Sequence, residues 1–526
     1  MDPASPRGRP APRTRGRRAR SLPRRAGRRP APGAGRYCRR PGTDQPRSLA
    51  LRRPHRRAAT PTAAAGAAAR RGLRGRGRQC LANRRRGSDP RQDRHGLAVD
   101  AAGGRRTVNP GKVSAWREAR WQVAGFLACA AALNYADRAA LSAVLPALRS
   151  DFALTDVQLG LLGSIFLWAY ALGSPFAGIL ADRWSRRALV VWSLALWSAV
   201  TALMGAASGF VALAILRGAL GLAECLYLPA ATALLADHHG PATRGRAMSL
   251  HSVGLNFGVV LGGAFAGYLA EHFGWRAGFW VLGLGGVGLA LTARFFVTDG
   301  PAAQAQAARA APRATVGEAL RYLLRVPSYH VLLAKAMLAG VGVWVFLNWL
   351  PLYFREAFDL SLGAAGFAGT FMLQISTVLG IALGGWISDR AAARGAKQRL
   401  LVQGLSYLAA APFLLLFLAR PGFAGVTVAV SVFSLLRGVG QANENPALCE
   451  LIPVQFRSTA IGVMNTCATA AGGVGVLLAG VLKRTLGLDA IFAGISVLFL
   501  LAGAALVAAY RFAAERDLAR AAAASR

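Results

Sequence analysis

Acidic side chains are scarce. Only 23 of the 526 residues are Asp or Glu, against 63 Lys and Arg, and charged residues of both signs make up 16% of a chain that is 54% hydrophobic. Mean hydropathy is +0.36, a balance that excludes most soluble domains and suits a protein crossing a membrane many times. Cysteine is equally thin: six residues, at 38, 80, 129, 225, 449 and 467, with no CxxC pair and no histidine at ligand spacing. That excludes a disulfide framework and a metal centre, and leaves the thiols as small apolar packing groups. Also missing are a Gly-rich phosphate loop between strand and helix and a nucleophile–base constellation. An enzyme, with or without a cofactor, is therefore the least expected reading.

The formal net charge of +40 has two sources. Of the basic residues 32 precede Val113, with five acids, so the first 112 residues carry about +27 and the remainder about +13. Residues 1–112 are Arg, Pro, Ala and Gly with few large apolar side chains, which cannot bury enough surface to offset ordering entropy, so a disordered tail is expected. No apolar stretch with a cleavage site marks a secretory signal. Runs such as Arg84-Arg85-Arg86 can bind phosphates of nucleic acid or lipid, but without interleaved aromatics no specific nucleic-acid site is expected. The simplest account of the tail is translation beginning near Val113.

Beyond Val113, apolar runs of bilayer length recur at about 121–146, 157–180, 188–207, 210–235, 246–270, 277–297, 330–354, 365–388, 400–419, 423–446, 457–482 and 489–511. The pattern predicts an all-α membrane protein of twelve transmembrane helices. The expected parts are a six-helix bundle over 113–297, a linker over 298–327, a second bundle over 328–511 and a short tail over 512–526. Within the linker, residues 319–325 resemble a short amphipathic interfacial helix. Basic residues concentrate in the loops after spans two, four, six and eight, which places these loops and both termini in the cytoplasm.

Charges inside the apolar runs point to function, because each costs about 2.5–3.5 kcal/mol on insertion scales and normally faces a cavity or a partner. Span one carries Asn134, Tyr135, Asp137 and Arg138. Span four carries Arg217 and Glu224; seven residues rotate a helix by about 700°, so the two share one face about 10.5 Å apart. Span ten ends in Asn443, Glu444, Asn445 and Pro446, of which the first two are candidates to line a cavity. An internal repeat is also visible: Gly178-Ile179-Leu180-Ala181-Asp182-Arg183 closes span two and Gly385-Trp386-Ile387-Ser388-Asp389-Arg390 closes span eight. Such register indicates duplicated halves whose interface forms a midplane site. The Asp-Arg pairs, at the membrane edge, are candidates to hold one gating state.

Taken together, Gly178, Asp182, Arg183, Arg186 and Arg187 after span two, and Gly254, Gly258, Gly262 and Gly263 in span five, resemble the signatures of the major facilitator superfamily. The Asn-Tyr-x-Asp-Arg pattern, the Arg217, Glu224 and Pro229 spacing, and Trp349-x-Pro351-x-Tyr353 are similar to the organic anion:cation symporter branch. The segment 155–162 is similar to the neighbouring Spinster-like branch. This resemblance implies the two-bundle facilitator fold, with the glycines of span five letting the halves approach closely. It implies proton-coupled symport of a small organic anion, a carboxylate or sugar acid, by one chain acting as a monomer in the bacterial inner membrane. Asp137 and Glu224 would carry protons, Arg138 would bind substrate, and Arg217 would bind substrate or couple to Glu224. Tyr135 and Tyr170 are candidate hydroxyl donors. Where sugar-acid transporters of this branch have an Asn in span eleven, this chain has the apolar run 468–473, which implies a less polar carboxylate. Other readings are an exporter or uniporter of a lipid-like or drug-like molecule and, more remotely, a membrane-anchored binder of anionic polymers. His238 and His239 are expected to be solvated at the interface, with His251 a turn inside span five.

Overall fold

The computed structural model of the chain describes residues 97–99, 105–107, 110–298 and 315–524. All belong to one compact unit, Arg91–Arg526. Most of the expected disordered tail and just over half of the linker therefore lie outside the described residues, while 97–99, 105–107 and 110–112 of that tail are in regular structure. A short antiparallel ribbon, β1 (Leu97–Val99) with β2 (Arg105–Thr107), precedes the helices.

The first half contains α1 (Pro110–Phe152), α2 (Asp156–Arg183), α3 (Arg186–Met204), α4 (Phe210–Glu224), α5 (Tyr227–His238), α6 (Pro241–Phe273) and α7 (Trp275–Phe296). After α8 (Val316–Leu323), the second half contains α9 (Pro327–Phe358), α10 (Leu362–Ala392), α11 (Gln398–Leu414), α12 (Gly422–Gln441), α13 (Glu444–Leu451) and α14 (Arg457–Phe512). A terminal helix, α15 (Ala514–Ala524), follows. Ten intervals among the described residues are long and apolar enough to cross a membrane. In two of them a break divides one crossing, α4 from α5 and α12 from α13. The last interval holds two crossings, because Gly487 (φ 76°, ψ 161°) breaks α14 into two arms. These intervals match eleven of the twelve expected crossings; the remaining one, span one, falls on the long helix α1, which is not among them. Large apolar side chains such as Leu172, Trp192 and Leu291 are 70–71% exposed, an inside-out surface that lipid rather than water accommodates.

Local sequence explains the equivalent first turns of the two halves. Left-handed residues, Ala153 (φ 50°) and Asp359 (φ 49°), end α1 and α9. Two residues later Thr155 and Ser361 cap α2 and α10 by accepting from Gln158 N and Ala364 N, which satisfies donors a helix start leaves open.

Glycines set the close approaches. In α6, Gly254, Gly258 and Gly262 lie at four-residue intervals against the backbone of Ala128, Ala132 and Ala136 in α1, where any Cβ would collide. Span five was expected to use its glycines between the halves; these three instead join two helices of the same half. Gly263 does cross, packing on Gly366 and Thr370 of α10, and Gly267 joins it against Leu362. A second crossing contact is α2 on α14: Ser164 Oγ donates to Gly473 O at 2.7 Å and Trp168 Nε1 to Ala470 O at 3.2 Å.

Candidate functional site

Adjacent residues on a helix point about 100° apart, so Asp137 and Arg138 serve different neighbours. Asp137 is buried toward α3, where Oδ2 accepts from Thr201 Oγ1 at 3.2 Å and Oδ1 has no partner among the described residues. Arg138 turns toward α4: its Nε donates to Glu224 Oε2 at 2.7 Å and its Nη2 to Asn134 Oδ1 at 3.1 Å. The guanidinium lies 4.6, 5.1 and 4.7 Å from the ring centroids of Tyr135, Phe166 and Tyr170. The two tyrosines, expected to offer hydroxyls, thus present ring faces to the cation, a contact that fixes a desolvated guanidinium in place.

Arg217 shares the ring of Phe166 from 4.5 Å and donates Nε to Leu162 O at 3.2 Å. It is 2% exposed. Its Nη1 has no hydrogen-bond partner, and no ion pair engages it among the described residues. One phenyl ring therefore separates a paired arginine from an unpaired one. Between the halves, Tyr135, Arg138, Phe166 and Arg217 line a cavity of about 20 Å³ together with Trp344 and Asn348 of α9. That space suits about one water molecule, so a substrate requires the halves to separate further.

Asn443 and Glu444 do not line this cavity. Asn443 is fully buried and donates Nδ2 to Val439 O at 3.0 Å, bridging the break between α12 and α13. Glu444 pairs with the buried Lys335 of α9 at 3.1 Å. Lys335 and the nearby buried Arg437 escaped the sequence reading, as did Trp344 and Asn348. The signal for the first two was available as cations inside apolar spans. The other two have none, being an ordinary Trp and Asn until the fold aims them. The Trp349-Pro351-Tyr353 pattern is packing chemistry: Trp349 Nε1 donates to Val476 O at 3.1 Å and Tyr353 Oη to Asp489 Oδ1 at 2.8 Å, both on α14.

Three of the expected gating residues contact only their own halves among the described residues. Arg186 pairs with Asp237, Asp389 with Arg399 at 3.5 Å, and Arg390 stacks on Trp386. Gly178 and Arg187 lie at the same edge, while the side chains of Asp182 and Arg183 are outside the described residues. Charge pairs that join the halves sit at the opposite end, where α1 turns into α2. Arg149 reaches Glu356 of α9 at 2.8 Å, and Lys483 of α14 reaches Asp156 of α2 at 3.0 Å. Arg149–Asp156 and Lys483–Glu356 (2.7 Å) complete a four-charge ring. His238 and His239, expected in solvent, are buried: His239 Nε2 contacts Arg120 O at 3.1 Å and its ring lies edge-on to Trp121. Burial holds the His239 imidazole below its usual range. His251 meets Tyr227 Oη at 3.1 Å.

Membrane-length helices in two alike bundles, with buried charges at their interface, define a multi-pass membrane transporter. The chain belongs to the Major Facilitator Superfamily, whose sequence profile matches residues 127–474. It is 29% identical over 383 residues to a probable sulfoacetate transporter of Cupriavidus necator, covering 70% of this chain and 88% of that one. To a probable galactarate/D-glucarate transporter of Bacillus subtilis it is 28% identical over 304 residues, 51% of this chain, and it spans 65% of that relative's length. The crystal structure of a bacterial homologue of the human lysosomal transporter Spinster, inward-facing and unoccupied, has the same fold. It superposes with a TM-score of 0.61 at 20% identity, covering 77% of this chain and 98% of that one.

Proposed function

We propose that this chain is a proton-coupled symporter of a small organic anion, working by alternating access from the bacterial inner membrane with both termini cytoplasmic. One observation carries the reading: Arg217 is a buried guanidinium with no ion-pair partner among the described residues, on the wall of the cavity between the halves and beside the Arg138–Glu224 pair. A fixed planar cation of this kind favours a carboxylate or sulfonate, with which it forms two parallel hydrogen bonds. The relatives named for sulfoacetate and for galactarate/D-glucarate support that substrate class.

Coupling follows from competition. An anion seated on Arg217 also attracts Arg138, loosening it from Glu224; the released carboxylate, still buried, then takes a proton. Proton and anion thereby favour each other's binding. Asp137 is the second candidate proton carrier, reached through Thr201 rather than from the cavity wall. With the termini cytoplasmic, the four-charge ring lies at the periplasmic end and holds the halves together there.

The test is uptake of D-glucarate, D-glucuronate and sulfoacetate into proteoliposomes carrying the full chain, with and without an inward proton gradient. Wild type should accumulate one or more acids against a gradient. Arg217→Gln should lower uptake at least tenfold, and Glu224→Gln should retain exchange while losing gradient-driven accumulation. Correctly inserted wild type that moves none of these acids refutes the proposal and favours a lipid-like substrate.

A further inference from the structure

The second half rebuilds the charged cluster of the first. Leu216-Arg217-Gly218 in α4 matches Leu436-Arg437-Gly438 in α12, and a glutamate follows each arginine by seven residues, Glu224 and Glu444. In both halves the helix breaks at that glutamate: α4 ends on Glu224, and α13 begins on Glu444. Each glutamate pairs with a cation from the first helix of its own half, Arg138 of α1 at 2.7 Å and Lys335 of α9 at 3.1 Å. In each, the arginine lacks a carboxylate among the described residues and keeps one unpartnered nitrogen, Arg217 Nη1 and Arg437 Nε. Arg437 otherwise donates Nη1 to Gln441 Oε1 at 2.8 Å and Nη2 to Thr377 Oγ1 at 2.7 Å.

The correspondence is one of pairing, not of copied residues. By the register of the equivalent turns, Thr155 matches Ser361, so Arg138 falls opposite Trp344 and Lys335 supplies its charge from elsewhere on α9. Two cations that are 1% and 7% exposed thus face one carboxylate, a buried positive excess that an anion offsets. The cluster is not sealed, since the Glu444 side chain is 28% exposed and Gln441 is exposed.

We propose that Arg437 and Lys335 form a second anion site, the pseudo-symmetric mate of Arg217 and Arg138, which takes the second acid group of a dianionic substrate. The proposal rests on the anion-symport reading above. In the same proteoliposomes, uptake of D-glucarate, with two carboxylates, is compared with D-glucuronate, with one, at equal subsaturating concentration. Arg437→Gln and Lys335→Gln should each lower the glucarate-to-glucuronate ratio roughly tenfold or more. Arg437→Lys, which keeps the charge, should hold the ratio within about threefold of wild type. Should a separate inorganic anion fill the site instead, added chloride at constant ionic strength raises uptake of both acids in wild type and that response vanishes in Arg437→Gln. A ratio and a chloride response that match wild type in both Gln variants overturn the second site alone. Wild type that transports neither acid removes the first reading, and this site with it.

Discussion

Neutralising Glu356 should open the closed end of the transporter by a measurable amount. Of the four contacts in the ring, only Arg149–Glu356 and Lys483–Asp156 cross between the halves. The side chains are 33% and 36% exposed in the first pair and 10% and 27% in the second. Partly exposed pairs contribute about 0.2–1 kcal/mol each, less as salt screens them. Glu356→Gln should therefore cost the closed state about 0.5–1 kcal/mol, a two- to fivefold rise in the minor open population. Glu356→Gln with Asp156→Asn should exceed the sum of the singles, since Arg149 and Lys483 are then left facing each other without a carboxylate. Spin labels at Ser150→Cys and Thr485→Cys, in a background without the native cysteines, report the separation of α1 and α14 by double electron–electron resonance. The longer-distance population should grow in the order single, then double variant, and the differences should shrink in high salt. Identical distance distributions in wild type and double variant would refute the latch.

Two further outcomes are expected. Gly163→Ala places a Cβ against Asn348 Oδ1 and Val476 in the cavity wall, so uptake should fall roughly tenfold while thermal stability drops by about 1–3 kcal/mol or less; unchanged uptake removes Asn348 from the substrate path. Burial depresses the His239 value below 6.5, so its contribution to stability is complete above that pH and is lost as pH falls toward the depressed value. The melting temperature in detergent should accordingly drop less between pH 7.5 and 5.5 in His239→Gln than in wild type, and equal drops would exclude His239 as a source of acid sensitivity.

Which features the sequence disclosed depends on how far apart the cooperating residues lie along the chain. Span lengths and the Gly178–Arg183 and Gly385–Arg390 repeat are local patterns, and they predicted the helices and the duplicated halves. Arg217 and Glu224 were legible because a single helix period relates them. Pairings were not legible in the same way. Asp137 and Arg138 are neighbours in sequence yet belong to different contacts, one with Thr201 and one with Glu224, since one residue of helix rotation separates two packing partners. The span-five glycines show the same limit: spacing announces a close approach, and only assembly decides that Gly258 meets Ala132 while Gly263 meets Thr370.

Loop charges make the point most directly. Arg149 and Lys483 lie on the side opposite the basic loops and add nothing to the orientation argument; in the folded chain they carry the two ion pairs that join the halves among the described residues. A basic residue on the charge-poor side has little reason to be there for topology, which counts only the surplus on the other side. Its position is therefore better read as a request for a partner from the opposite half. The same argument applies within the membrane, where Lys335 stands in an apolar stretch of α9 and finds its carboxylate, Glu444, on another span.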